Sequence, residues 1–285
     1  MGSSKRYLIV NADDYGRSPG VSAGIRECHM RGIVTSTTAM MNMPGVDDEL
    51  RQAIRDCPNL GLGIHLTLTA GKPILPPAAI RSLVTEADIF PRLRDFIAQL
   101  SSVDSDEAQA EWRAQIEKFI EATGRSPDHL DAHHHCSYLN HWLFEAMLEL
   151  ACEYGCAIRS PFGEGAMQIV EGLPGESQRR ILTFGPVLLQ KYRTPSPDHF
   201  IASFYGATAT KAGMLHILDT LPEGVTEIMC NPGYVDAPLR EVSGYVDRRQ
   251  DELAVLADPD VVEHLSTSGI VRYTFEQLQS ELSGS

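Results

Sequence analysis

The sequence predicts an α/β protein of parallel strands joined by crossover helices. Three observations predict it: short apolar runs rich in β-branched residues recur along the chain, helical patterns with recognisable caps lie between them, and polar clusters fall at the carboxyl ends of several runs. At 285 residues the chain can bury a large core and fits one α/β barrel as readily as two smaller domains. Periodicity leaves an open sheet and a closed barrel as alternatives.

The first strand is YLIVN, residues 7–11, an unbroken apolar run that meets the polar NADDYG. Runs of this kind suit a parallel strand buried on both faces. Ser18 followed by Pro19 supplies a cap and a proline at the first helical position, and Gly32 follows the last turn, which marks a helix over 19–31. Strands are expected next at 34–41 and 61–69. In the latter, Leu62, Ile64, Leu66 and Leu68 share one face and Gly63, His65, Thr67 and Thr69 the other. Residues 71–94 are proline-rich and read as a functional loop.

Asp104 and Glu107 stand in a capping-box relation ahead of the stripe Trp112, Ile116, Phe119, which ends at Gly124. A strand over 129–135 places Asp131, His133 and His135 on one face and His134 on the other, so a regular strand offers at most two of its three histidines to one site. Asn140 is placed to cap a helix with Leu143, Met147, Leu150 and Tyr154 on one face up to Gly155. Strands at 156–159, 180–184, 226–231 and 270–274 complete the reading, with a second irregular stretch over 160–199 that carries Pro161 and Pro174.

Charge narrows the function. The chain holds 38 acidic against 24 basic residues, a formal charge of -14, which opposes binding to nucleic acid or anionic membrane and suits a metal ion or a neutral or cationic small substrate. No apolar run reaches membrane-spanning length and no signal pattern opens the chain, so a cytoplasmic location is expected. The six cysteines form no CxxC pair, which argues against a zinc ribbon or a disulfide framework. HExxH, GxxxxGK and GxGxxG are absent, which lowers zincin, P-loop and dinucleotide-binding readings.

Four polar clusters lie at predicted strand ends: Asp13 with Asp14, His65, Asp131 with His133 to His135, and Asn231. Parallel α/β folds build their sites at these ends. Taken singly, His65 reads as a hydrogen-bonded structural residue and the Asp pair as a solvated turn. Together, carboxylate and imidazole suit zinc or another divalent cation, and three protein ligands leave room for water and a substrate oxygen. A dication also offsets the repulsion between Asp13 and Asp14, one binding it while the other acts as a base.

The segments NADDYG, GIHLTLT, HLDAHHH, SFYG and MCNPGYVD, in that order between about residues 5 and 278, resemble the YdjC-like carbohydrate deacetylases, and among them the chitooligosaccharide deacetylases. The resemblance implies a single domain over 5–280 folded as a distorted (β/α) TIM-like barrel, with its site at the carboxyl ends of the strands. It also implies one divalent cation, Mg2+ or Zn2+, a homodimer, and removal of an N-acetyl group from chitobiose, chitotriose or their 6-phosphates. The implied metal ligands are Asp14, His65 and His133, with Asp13 as general base. Strand parity admits His133 and His135 alike, and the resemblance selects His133.

Asn231 stands where family members commonly carry histidine. An asparagine transfers no proton at neutral pH, so His135 is the replacement candidate for proton donor and Asn231 keeps a hydrogen-bonding role toward substrate. Asp131 is placed to orient a ligand histidine. Tyr15, Tyr138, Tyr205 and Tyr234 lie beside the motifs, with Tyr205 the expected sugar contact, and Arg159 is expected to grip a substrate phosphate or hydroxyl. The alternatives are a deacetylase of another amide or lipid-linked sugar, a phosphoesterase built on the same ligands, and a glycan-binding module without turnover.

Overall fold

Among the described residues, eight parallel strands form one sheet: β1 (Arg6–Tyr15), β2 (Ser36–Ala39), β3 (Gly61–Leu66), β4 (His129–Ala132), β5 (Ala157–Ile158), β6 (His199–Ile201), β7 (Gly224–Cys230) and β8 (Val271–Arg272). The computed structural model describes residues 5–160 and 175–283. The strand order is β5-β4-β3-β2-β1-β7-β6, with β8 against β1. A regular eight-stranded barrel places its last strand between the seventh and the first. Here β1 pairs directly with β7 over residues 6–12, while β8 meets only Tyr7 and Leu8. Among the described residues no ladder joins β5 to β6; one backbone bond, Ile158 N–H to Pro195 C=O at 2.9 Å, spans that side. The sheet is therefore a curled, incompletely closed barrel.

Helices α1 (Pro19–Arg31), α2 (Val46–Asp56), α3 (Leu93–Ala98), α4 (Ser105–Thr123), α5 (His141–Tyr154), α6 (Gly175–Tyr192), α7 (Lys211–Asp219), α8 (Ala237–Val242), α9 (Arg248–Leu256), α10 (Pro259–Thr267) and α11 (Phe275–Ser283) fill the connections. No helix among the described residues is long and apolar enough to cross a membrane.

Strand alternation divides the interior into two layers. Leu8, Val10 and Ala12 of β1, Leu62, Ile64 and Leu66 of β3, and Ile228 and Cys230 of β7 point into the main core beneath the helices. The opposite faces point into the barrel. Near the amino ends of the strands those inward residues are Ile9, Ala157 and Val225, packed with Tyr273, Phe275 and Leu278. Farther toward the carboxyl ends, on β1, β3, β4 and β7, they become Asn11, Asp13, His65, Asp131 and Glu227, all buried. The barrel is thus closed by apolar packing at one end and lined with polar side chains at the other.

The caps follow the sequence with two exceptions. Ser18 accepts the Val21 N–H at the start of α1, and Asp104 accepts the N–H groups of Asp106 and Glu107 at the start of α4. Glu107 does not complete a capping box. Its carboxylate binds Ser82 through the backbone N–H (2.8 Å) and the hydroxyl (2.6 Å), and with Glu111, which accepts Ile74 N–H and Leu75 N–H at 2.9 Å each, it pins the proline-rich segment to α4. Asn140 occupies the N-cap of α5 without a side-chain cap bond.

Two expectations need correction. The strand expected at 180–184 is part of α6, because Ile181, Phe184, Leu188 and Tyr192 recur at helical spacing against the core, and five residues alone do not separate that period from a strand. A short strand for which no expectation was made, β6, begins where the irregular stretch expected over 160–199 ends. The strand from His129 stops at Ala132, since His134 and His135 both adopt left-handed backbone (φ 55° and 52°) and turn the chain aside. Pro161 and Pro174 lie outside the described residues.

Gly63 lets β3 approach β4: a Cβ there would meet the His129 ring at 2.4 Å and its carbonyl oxygen at 2.6 Å. Gly63→Ala is expected to destabilise the fold by about 1–3 kcal/mol, measured by chemical denaturation.

Candidate metal centre and cavity

Adjacent residues on a strand point to opposite faces, yet Asp13 and Asp14 both line the same cavity of about 460 Å3. The backbone explains this. The β1–β2 register shifts between Ala12 and Tyr15, and Asp14 takes positive φ (72°), a bulge that re-aims its carboxylate inward. His65 reaches the cavity from β3, and His133, His134 and His135 from the turn after β4. The left-handed turn brings all three histidines to the cavity, which the strand-parity expectation did not allow.

Asp14, His65 and His133 are buried, and their ligand atoms all lie within 4.8 Å of one another. Asp14 Oδ1 is 3.0 Å from His133 Nδ1 and 3.5 Å from His65 Nε2, and among the described residues no hydrogen bond of good geometry reaches this buried atom. Its other oxygen accepts from Arg249. Asp131 holds His65 Nδ1 at 2.6 Å; a carboxylate can only accept, so Nδ1 carries the proton and Nε2 turns toward Asp14. An orphaned oxygen facing two ring nitrogens fits a divalent cation. A second grouping, Asp13, His65 and Asp131, has comparable spacing, but Arg159 already supplies its positive charge.

Arg159 is fully buried. Its Nη1 and Nη2 grip Asp13 Oδ2 (2.9 Å) and Oδ1 (2.7 Å), Nη1 also lies 2.9 Å from Asp131 Oδ2, and Nε donates to Glu227 at 2.7 Å. The expected grip on substrate does not fit this placement: the guanidinium is committed to three carboxylates and is not part of the cavity lining. Asp13 is only 4% exposed and receives a further bond from Asn11 Nδ2 at 2.9 Å.

The charges tune one another. Burial alone would raise the Asp14 pKa, but His133, Arg17 and Arg249 outweigh it and hold the carboxyl well below its usual range. Burial opposes charge on His65, yet Asp131, Asp13 and Asp14 raise its pKa above the ordinary histidine value. Burial drives His133 well down, with His134 adding to the effect. It takes His134 to about 4 and, with Arg159, His135 to about 3. His135 Nδ1 is buried and unbonded among the described residues. Burial likewise lifts Glu227 and Glu252 to about 7.

Around this centre, Asn231 lines the cavity; its backbone N–H donates to buried Glu252, while its side-chain amide has no hydrogen-bond partner among the described residues. Of the four motif tyrosines, Tyr205 alone lines the cavity. Tyr15, Tyr138 and Tyr234 direct their hydroxyls to Glu49 C=O, Arg159 C=O and the Glu27 carboxylate. Sequence reasoning missed Arg17, whose Nη1 lies 3.1 Å from His133 Nε2, and Arg249 and Tyr245 of the opposite wall. Arg17 had a signal, three residues beyond Asp14, whereas Arg249 lies in a run of charges typical of a solvated helix. A GxSxG nucleophile elbow counts as absent in the sequence reading, yet the segment GRSPG, residues 16–20, has that spacing. Ser18 is buried, accepts the Val21 N–H as the cap of α1, and does not line the cavity.

A family model described as YdjC-like protein matches residues 7–267. A carbohydrate deacetylase of Thermoanaerobacter pseudethanolicus is 35% identical over 96% of this chain and 100% of its own length. A chitooligosaccharide deacetylase of Proteus mirabilis is 34% identical over 95% and 98%. A solved structure from Enterococcus faecalis superposes with a TM-score of 0.84 at 35% identity, covering 96% of this chain and 99% of the other. A family 4 carbohydrate esterase from Streptomyces lividans shares the fold at a TM-score of 0.52 and 9% identity, covering 95% and 94%.

Two outcomes follow from the charges. A cation on His65 Nε2 competes with the proton that the raised pKa favours, so affinity falls as pH drops through that pKa and binding there releases protons; calorimetry in buffers of different ionisation enthalpy measures it. Arg159→Met strands buried carboxylates and is expected to cost about 3–5 kcal/mol of stability, read from denaturant midpoints.

Proposed function

This chain belongs to the YdjC-like family, and from that membership and the cluster in its cavity we infer that it is a carbohydrate deacetylase. The reaction proposed is cation-dependent hydrolysis of the N-acetyl group of chitooligosaccharides, giving acetate and a free amino sugar. Residues 5–280 would act as one catalytic unit. The observation that carries the reading is the division of labour between neighbours: Asp14 faces His65 and His133, while Asp13, though also near His65, is paired with Arg159.

Asp14, His65 and His133 would hold the cation, which supplies Lewis-acid polarisation of the acetamide carbonyl. Two imidazoles and a carboxylate suit zinc, and the family resemblance suggests magnesium as the other choice. Asp13 is the general base. Its Oδ1 accepts from both Arg159 and Asn11, whereas Oδ2 accepts from Arg159 alone, which leaves a lone pair on Oδ2 for the proton of the attacking water. As the C–N bond breaks, the same proton passes from Asp13 to the leaving amine. Burial keeps His135 neutral at physiological pH, so it suits a hydrogen-bonding role better than that of an imidazolium acid. The Asn231 amide and Tyr205 are proposed substrate contacts. Arg159 acts through Asp13, as a positioning residue.

Replacing Asp14, His65 or His133 by alanine is expected to remove cation and activity together. Asp13→Asn should keep the cation, assayed by metal analysis, and lower kcat by about 100- to 10,000-fold. Acetate release from N,N'-diacetylchitobiose supports the deacetylase. Release of phosphate from phosphosugars without acetate release would support the phosphoesterase alternative instead.

A further inference from the structure

One wall of the cavity is a pair of stacked tyrosines. The rings of Tyr205, in the segment after β6, and Tyr245, between α8 and α9, lie with centroids 4.4 Å apart and planes 10° from parallel. The pair is braced from below. Tyr245 Oη donates to Glu252, which is fully buried, and accepts the N–H of Gly206, the neighbour of Tyr205, at 2.9 Å. The Tyr245 carbonyl accepts from Arg249 Nε at 3.0 Å, and its N–H donates to Ser243 Oγ at 3.2 Å.

Arg249 ties this wall to the metal centre, since the same guanidinium donates to Asp14 and sits 5.6 Å from the Tyr245 ring centre. Glu252 ties it to the substrate side through the Asn231 N–H. Tyr205 itself is 41% exposed and lies beside a buried polar centre.

An exposed aromatic face of fixed orientation suits the C–H face of a pyranose, and little freedom remains to be lost on binding. The cavity, about 460 Å3, offers more room than one N-acetylhexosamine fills. We propose that the Tyr205–Tyr245 stack is a platform for the sugar next to the one that carries the scissile acetamide, so that the cleft selects oligosaccharides over the monosaccharide. This rests on the deacetylase reading. Tyr205 touches the sugar, and Tyr245 and Glu252 are positioning residues that hold it at a fixed distance from Asp14.

The test compares acetate release from N-acetylglucosamine and N,N'-diacetylchitobiose by the cation-loaded wild type, Tyr205→Ala, Tyr205→Phe and Tyr245→Phe. The wild type should prefer the disaccharide. Tyr205→Ala should lower that preference in kcat/KM by about fivefold to tenfold, chiefly through KM for the disaccharide. Tyr205→Phe should restore it, and Tyr245→Phe, which keeps the ring but loses both hydroxyl bonds, should fall between. Equal losses on both sugars, a loss confined to kcat, or failure of phenylalanine to rescue would overturn the platform and leave the deacetylase reading standing. A wild type that releases acetate from neither sugar would overturn both.

Discussion

The buried guanidinium of Arg159 is the interaction on which the rest of the site depends. An unpaired carboxylate in a protein interior costs several kcal/mol, more than the roughly 1.5–3 kcal/mol gained by burying one large apolar side chain. Asp13, Asp131 and Glu227 are all buried and all bonded to Arg159. Burial pushes Glu227 up to about 7, so the third carboxylate surrenders part of its charge, while Arg159, despite burial, is held well above its usual pKa by the surrounding acids. The arrangement does more than neutralise. The planar guanidinium orients Asp131, Asp131 fixes the ring of His65, and His65 presents Nε2 to Asp14. The same group holds Asp13 in a two-pronged grip, so the proposed base and a proposed cation ligand are positioned by one side chain.

The adjacency of Asp13 and Asp14 then has a physical account. Each acid has its own arginine, Arg159 for Asp13 and Arg249 for Asp14, and the bulge at the end of β1 lets both face one cavity without sharing a counterion. Of these two acids, Asp14 is the one that keeps, among the described residues, an oxygen without a well-formed hydrogen bond, the one that faces His65 and His133. The apolar plug of Ile9, Val225, Phe275 and Leu278 at the other end of the barrel leaves these polar groups as a single layer beneath the opening.

Local pattern made much of this legible. The apolar run before NADDYG, the proline-first α1, and the alternation that turned His65 inward all express rules that act within a few residues, and β1, α1 and β3 appear where those rules put them. What was hidden depended on distant partners. The left-handed turn at His134 and His135 leaves no mark in a run of three identical side chains, and it changed which histidines reach the cavity. Arg159 stood at a strand end like a substrate-binding residue, but its role was set by acids from β1, β4 and β7 that no spacing reveals. The 180–184 run failed as a strand for a simpler reason: five apolar-rich residues fit either period until the helix around them is seen.

The central claim is that Asp14, His65 and His133 bind a cation while Asp13 remains with Arg159. Anomalous diffraction from crystals grown with zinc tests it most directly. A single peak in contact with Asp14 Oδ1 and one ring nitrogen each of His65 and His133, with the Asp13–Arg159 pair intact, is the expected result. A peak bound by Asp13 and Asp131, with Arg159 displaced, would contradict it.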